Sequence, residues 1–259
     1  MAAGNVELVR RFYDALNAND LASIRTLCDD AIEYVNPDVA AEPGTRIGPD
    51  AFQTAFEGLH ASFDDFRCET EEITPFPDLV VVVARSTGAG RMSDIPFEEV
   101  HGHLLALSHA RIVSFRWFQT VEQAYAAAHE RSFRRGMEAY SRGDYETALE
   151  GFDPEIEWSA ETDLVPDAAV YRGHEGVRRF WADWSEVIEG MSLEVEECRA
   201  LEDDWVLAVT RASGTGAGSG AAVASGSFAQ LAQFRAGLVV RVRLFGDVKR
   251  ALAAAAEAH

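Results

Sequence analysis

Glu99-Val100-His101-Gly102-His103-Leu104-Leu105-Ala106-Leu107, then Ser108-His109-Ala110, then Arg111-Ile112-Val113-Ser114-Phe115-Arg116-Trp117-Phe118-Gln119 is the stretch whose reading decides the fold. Apolar and polar residues alternate on either side of a short polar turn, the pattern of a half-buried β-hairpin. A second copy lies downstream. Phe228-Ala229-Gln230-Leu231-Ala232-Gln233-Phe234-Arg235 is followed by Ala236-Gly237 and by Leu238-Val239-Val240-Arg241-Val242-Arg243-Leu244-Phe245. Each hairpin runs straight into an Ala-rich helical segment, residues 121–128 in one case and 248–255 in the other.

Outward from the hairpins, the same order of elements repeats. Val6, Val9, Phe12 (or Tyr13) and Leu16 recur at helical spacing, so residues 5–17 are expected to form an amphipathic helix. Asp20 is a good N-cap for a second helix carrying Leu21, Ile24 and Leu27 on one face. Residues 32–36 alternate as a short strand stopped by Pro37, and a Pro- and Gly-rich loop leads to Gly48-Pro49. A third helix then carries Phe52, Phe56, Leu59 and Phe63, and strands follow at 67–73 and 79–86. In the second half, helix 134–140, the cap Asp144, the strand Ile156-Glu157-Trp158 and a helix opened by Tyr171-Arg172-Gly173-His174 stand in the same places. Asp20 returns as Asp144 and Ala110 as Gly237, offsets of 124 and 127 residues. A shift that drifts so little is an internal duplication, and its period is too long for a solenoid. Two domains are expected, at 1–127 and 128–259, joined by a stiff helical segment built from good helix formers. The low-complexity run Gly214-Thr215-Gly216-Ala217-Gly218-Ser219-Gly220 reads as a mobile hairpin loop.

Composition sets the class. A hydrophobic content of 47% with 25% charged residues is that of a globular protein with a full core. A net charge of −20 argues against nucleic acid or an anionic membrane as partner. Cys28, Cys68 and Cys198 are far apart and odd in number, so they support neither a disulfide framework nor a thiolate metal site. The first residues lack signal-peptide character and no apolar run approaches transmembrane length, so a cytoplasmic location is expected.

Val9-x-x-Phe12-Tyr13-x-x-Leu16-x-Ala18-x-Asp20-Leu21, the strand end Tyr34-Val35-Asn36-Pro37, Tyr171-Arg172-Gly173-His174-Glu175-Gly176-Val177 and the hairpins together resemble the nuclear transport factor 2-like superfamily, and within it the SnoaL-like proteins. The resemblance covers nearly the whole chain. It implies an α+β fold of two tandem cone-shaped domains, each a curved antiparallel sheet wrapped on three helices around a pocket. It also implies pairing through the sheets, here as an intramolecular pseudo-dimer burying the face of Ser114, Arg116, Arg241 and Arg243, with a homodimer open as well. Function is left wide, because this fold hosts isomerases, cyclases, dehydratases, epoxide hydrolases and non-catalytic binders.

The steroid isomerases of that superfamily use a helix Tyr, an Asp before the strand-ending Pro, and an acid on the hairpin. Those three places fall on Phe12, Asn36 and His103 in the first copy, and on Gly136, Ala160 and Gln230 in the second. Phe12 cannot donate and Asn36 cannot take a proton, so that mechanism is not carried over. His103 can still act as acid or base, with Glu99 as the group that orients it. Alternation sets Glu99, His101, His103 and Leu105 on one strand face, and by the family's parity Phe115 and Trp117 share it, with Tyr34 and Asn36 turned toward them. The ligand-binding set expected in the first cone is therefore Tyr34, Asn36, His101, Trp117, Phe115, Phe12 and Phe56. The plainer reading makes His103 a hydrogen-bonded core residue and leaves Glu99 and His101 at the rim. No third ligand accompanies the two histidines, so no metal is expected, and no cofactor. The second copy, without an ionisable group at those places, is read as structural or vestigial. The functional expectation is a small, largely apolar or carbonyl-bearing molecule bound in the first cone, with isomerase-, cyclase- or hydrolase-type acid–base turnover. The alternative is a non-catalytic module whose cones are filled by their own side chains.

Overall fold

Asp20 and Asp144 cap their helices in nearly the same backbone geometry, at φ −89° and −87°. Asp20 accepts from the Ser23 amide at 3.0 Å and Asp144 from the Thr147 amide at 3.2 Å, which satisfies an otherwise orphaned N–H at each helix start. The computed structural model describes residues 2–38, 43–161, 170–216 and 222–257. It divides into two compact units, Met1–Ala128 and His129–His259.

The first unit runs α1 (Ala2–Asn17), α2 (Leu21–Leu27), β1 (Cys28–Asn36), β2 (Gly44–Ile47), α3 (Pro49–Ser62), β3 (Phe63–Pro75), β4 (Leu79–Gly90), β5 (Pro96–Ser108) and β6 (Arg111–Phe118). One helix, α4 (Val121–Ser141), contains the division between the units. The second unit continues with α5 (Tyr145–Leu149), β7 (Phe152–Ala160), β8 (Tyr171–Arg172), α6 (Gly173–Val187), β9 (Ile188–Ala200), β10 (Trp205–Gly216), β11 (Ala222–Arg235), β12 (Leu238–Phe245) and α7 (Val248–Ala256).

Each unit holds one six-stranded sheet, ordered β2-β1-β6-β5-β4-β3 in the first and β8-β7-β12-β11-β10-β9 in the second. The sheets are mixed, not wholly antiparallel as expected, because β1 pairs with β6 and β7 with β12 in parallel. Strands joined by a tight hairpin must run antiparallel, whereas β1 reaches β6 only after a helix and several strands, so nothing forces that pair to oppose. Register shifts interrupt β3 against β4 and β10 against β9, and such bulges bend a sheet. The short edge strands β2 and β8 were not expected. Phe63, expected at the end of the third helix, is instead the first residue of β3.

Both central hairpins close through two-residue loops with positive φ at each position, His109 and Ala110 at 50° and 57°, Ala236 and Gly237 at 50° and 82°. That is the left-handed pair a twisted two-residue hairpin requires. Of the low-complexity run, Gly214–Gly216 belong to β10, and residues 217–220 lie outside the described residues.

In each unit the sheet buries side chains against its helices. In the first, Val9, Phe12, Tyr13 and Leu16 of α1 are buried against Phe52 and Phe56 of α3 and Val80, Val82, Leu105 and Phe115 of the sheet. Each fully buried ring of this kind contributes roughly 2–3 kcal/mol of hydrophobic stabilisation. Gly102 lets the start of α4 approach β5 closely, since a Cβ there would stand 2.5 Å from the Cβ of Ala124. Among the described residues, no helix is long and apolar enough to cross a membrane.

Candidate functional site

Alternation along β5 turns His101, His103 and Leu105 inward, and all three are buried. On α1, two adjacent residues, Phe12 and Tyr13, both face the core. The hydroxyl of Tyr13 and Nδ1 of His103 are joined by a hydrogen bond. The imidazole lies nearly parallel to the Tyr13 ring, at 15° and 5.9 Å, and packs 4.7 Å from the Phe115 ring. Burial, and then the neighbouring His101, hold His103 well below the usual histidine range, while burial raises the Tyr13 phenol well above its own. Both partners are therefore neutral near pH 7.

His101 lies 4.6 Å from His103, ring to ring, and 5.7 Å from Trp117. Its Nε2 meets the Ser86 hydroxyl at 2.9 Å, its Nδ1 is buried with no partner among the described residues, and burial lowers its pKa to about 4. Glu99, expected to orient the imidazole, has an exposed side chain beyond the point where β5 becomes buried. Ser86, its neighbour across the β4–β5 pair, holds the His101 ring instead. Tyr34 stands 5.5–5.9 Å from Phe52, Phe56 and Phe115, and Phe12 stands 5.7–6.1 Å from the same three rings. Asn36 is half-buried at the end of β1, beside Gly44 of β2. The structure thus brings together His103, His101, Trp117, Phe115, Phe12, Phe56 and Tyr34, but as a packed aromatic core with Tyr13 added. Glu99 is not part of it.

The second unit has the same registers and different contents. β6 pairs Phe115 with Tyr34 and β12 pairs Val242 with Trp158; β5 pairs His103 with Trp117 and β11 pairs Gln230 with Leu244. Counted from the two caps, Phe12 corresponds to Gly136 and Tyr13 to Met137. The missing ring leaves space. A cavity of about 30 Å³ is bordered by Gly136, Met137, Trp158, Trp181, Phe228 and Gln230 among others, enough for a water or two as it stands. Gln230, buried, donates to the Thr210 hydroxyl at 3.1 Å and contacts Met137 sulfur at 3.8 Å. The indole N–H groups of Trp158 and of Trp184, which also borders the cavity, are buried without a partner among the described residues. The copy expected to be structural or vestigial therefore has a cavity beside Gly136. The comparison of Phe12 with Gly136 was the signal for it.

Outside the wall, Trp181 also borders an open groove of about 570 Å³ between α5 and α6, with Tyr145, Glu146, Arg178 and Glu186. Among the described residues, no group of three or more His, Cys, Asp or Glu is placed to hold a metal ion. The free thiols of Cys28, Cys68 and Cys198 are pushed up by burial to about 12, 11 and 11.

The model of the SnoaL-like domain matches this sequence twice, over residues 9–115 and again over 133–242. The chain belongs to the SnoaL-like domain family. It carries two such domains in tandem, one in each compact unit. Among solved structures, an NTF2-like protein from Burkholderia thailandensis E264 is 23% identical, with 46% of this chain matched to 95% of that one at a TM-score of 0.43. A protein with a ketosteroid isomerase-like fold from Catenulispora acidiphila DSM 44928, solved in complex with trimethylamine, is 18% identical over 44% of this chain and 85% of that one, at a TM-score of 0.41. An NTF2-like protein of unknown function from Burkholderia pseudomallei K96243 is also 18% identical, over 46% of this chain and 93% of that one, at 0.41. No curated protein matches the chain.

Proposed function

We propose that this tandem SnoaL-like protein binds a small, mostly apolar molecule in the cone of its second domain, without proton transfer. The observation that carries this is the cavity beside Gly136, walled by aromatic rings, with the Gln230 amide as its inner polar group. Pockets of this make-up, apolar with a few placed polar groups, are what small-molecule sites are made of. Of the ionisable side chains on its wall, Arg135 is paired with Glu150 at 2.9 Å and the Tyr140 phenol is pushed up to about 12 by burial. The phenol is not poised as an acid or base near pH 7. The first domain, on this reading, is a structural partner whose cone is filled by its own rings.

The test is a thermal-shift and tryptophan-fluorescence screen with alkanes, alcohols and ketones of a few carbons. Gly136→Phe, which restores the ring that Phe12 supplies in the first copy, is expected to abolish the shifts, and His103→Gln to leave them intact. Hits that survive Gly136→Phe place binding elsewhere and overturn the proposal. A second reading, turnover at His103 in the first cone, draws support from the unpartnered Nδ1 of His101. It requires ligand shifts that disappear in His103→Gln and persist in Gly136→Phe.

A further inference from the structure

The groove between α5 and α6 and the internal cavity share one wall, the Trp181 side chain. Trp181 is buried, and its ring packs 5.0 Å from Tyr140 and 5.6 Å from Tyr145. Tyr145 is 43% exposed, so its ring is open to a molecule lying in the groove. The charged groups along the groove are Glu146, Arg178 and Glu186. Arg178 is taken up by Glu146, which it meets through both carboxylate oxygens at 2.9 and 3.1 Å. Among the described residues Glu186 has no ion-pair partner and is the remaining charge of the groove, in a chain whose net charge is −20.

We infer that the groove is the second half of the ligand site and takes a positively charged ammonium group, while the apolar end of the same molecule enters the cavity past Trp181. The inference rests on the cavity reading above. An aromatic floor attracts a cation through the negative faces of its rings, and the carboxylate beside it adds a Coulomb attraction. An anionic ligand meets the opposite of both. The void inside is small and the groove is large, so a compact apolar head with a polar tail fits the pair better than a bulky hydrocarbon does. The ligand class is therefore a small alkyl-substituted amine in its protonated form.

The experiment uses three probes with the same small apolar head: n-propylammonium, n-propanol and butyrate, titrated against the full chain at low salt. The ammonium is expected to bind about five- to tenfold more tightly than the alcohol, with the carboxylate weakest. Sodium chloride should narrow the difference by screening. Tyr145→Leu combined with Glu186→Gln alters the groove and is expected to bring ammonium and alcohol within about twofold, through the loss of affinity for the ammonium. If all three probes bind equally, or the carboxylate binds best, the groove assignment is overturned and the cavity reading stands. If none binds, both fall.

Discussion

The Tyr13 hydroxyl and His103 Nδ1 share a hydrogen bond in the core of the first copy, where the second copy has Met137 and Gln230, also in contact. Two different pairs thus close the same gap between the first helix and the hairpin. Tyr13→Phe leaves a buried imidazole nitrogen without its partner and is expected to cost about 1–3 kcal/mol. The double variant Tyr13→Met/His103→Gln installs the other pair and should lose less than the sum of its single changes. Urea titration followed at Trp117, the one tryptophan of the first copy, measures this once the four in the second copy are replaced by Phe. Simple additivity would show that the two residues do not act as a pair.

Acid should loosen the first copy before carboxylate titration does. His101 has a folded pKa of about 4 against about 6.5 in an unfolded chain, and His103 is shifted in the same direction. Below pH 6.5 the unfolded chain binds more protons, so stability present above that pH is lost as the pH falls towards 4. For His101 alone the loss approaches roughly 3 kcal/mol at pH 4. His101→Phe, the residue of the second copy (Phe228), should flatten the slope between pH 6.5 and 4.5. An unchanged slope would mean that these imidazoles are not kept neutral by burial.

Gly136 lies inside α4, and a Cβ built there meets only the Ala148 carbonyl oxygen, at 3.7 Å. Alanine removes the entropic penalty of a mid-helix glycine, so Gly136→Ala should stabilise the second copy by about 0.5–1 kcal/mol. It should weaken ligand binding at the same time. A differential scanning profile gives the first effect and a probe titration the second, and a destabilised variant would contradict the open space assigned to this position.

Ala110 adopts φ 57° in the hairpin loop of the first copy, where the second has Gly237 at 82°. A Cβ in that region is strained, so Ala110→Gly should stabilise the first copy by about 0.5–1 kcal/mol. No gain in the urea midpoint would show that the strain is already relieved by neighbouring residues.

Much of the fold was legible because it is written in periodicities. Val9, Phe12 and Leu16 mark a helix, the alternation through His101, His103 and Leu105 marks a strand, and the caps Asp20 and Asp144 fix the repeat. The edge strands β2 and β8 were not legible, since four and two residues beside Pro and Gly carry no period. The helix partner of His103 was not legible. Counting from Asp20 pointed to Phe12, yet Tyr13 is the partner of His103, because a wide helical stripe buries two adjacent residues and spacing cannot say which reaches the hairpin. The cavity escaped for another reason. A pattern records where side chains face, and Gly136 contributes through the volume it does not occupy.

α4 has a consequence for how the chain comes to be folded. Its N-terminal part is already held on the first copy by Ala124, which is wholly buried, and by the Tyr125 hydroxyl, bonded to Thr74 at 2.6 Å. Starting a helix is the unfavourable step, and extending one adds a hydrogen bond for each residue ordered. A chain leaving the ribosome completes its N-terminal domain first. The leading helix of the second domain therefore grows from a seed planted by its predecessor, and the later copy begins folding with its nucleation step behind it.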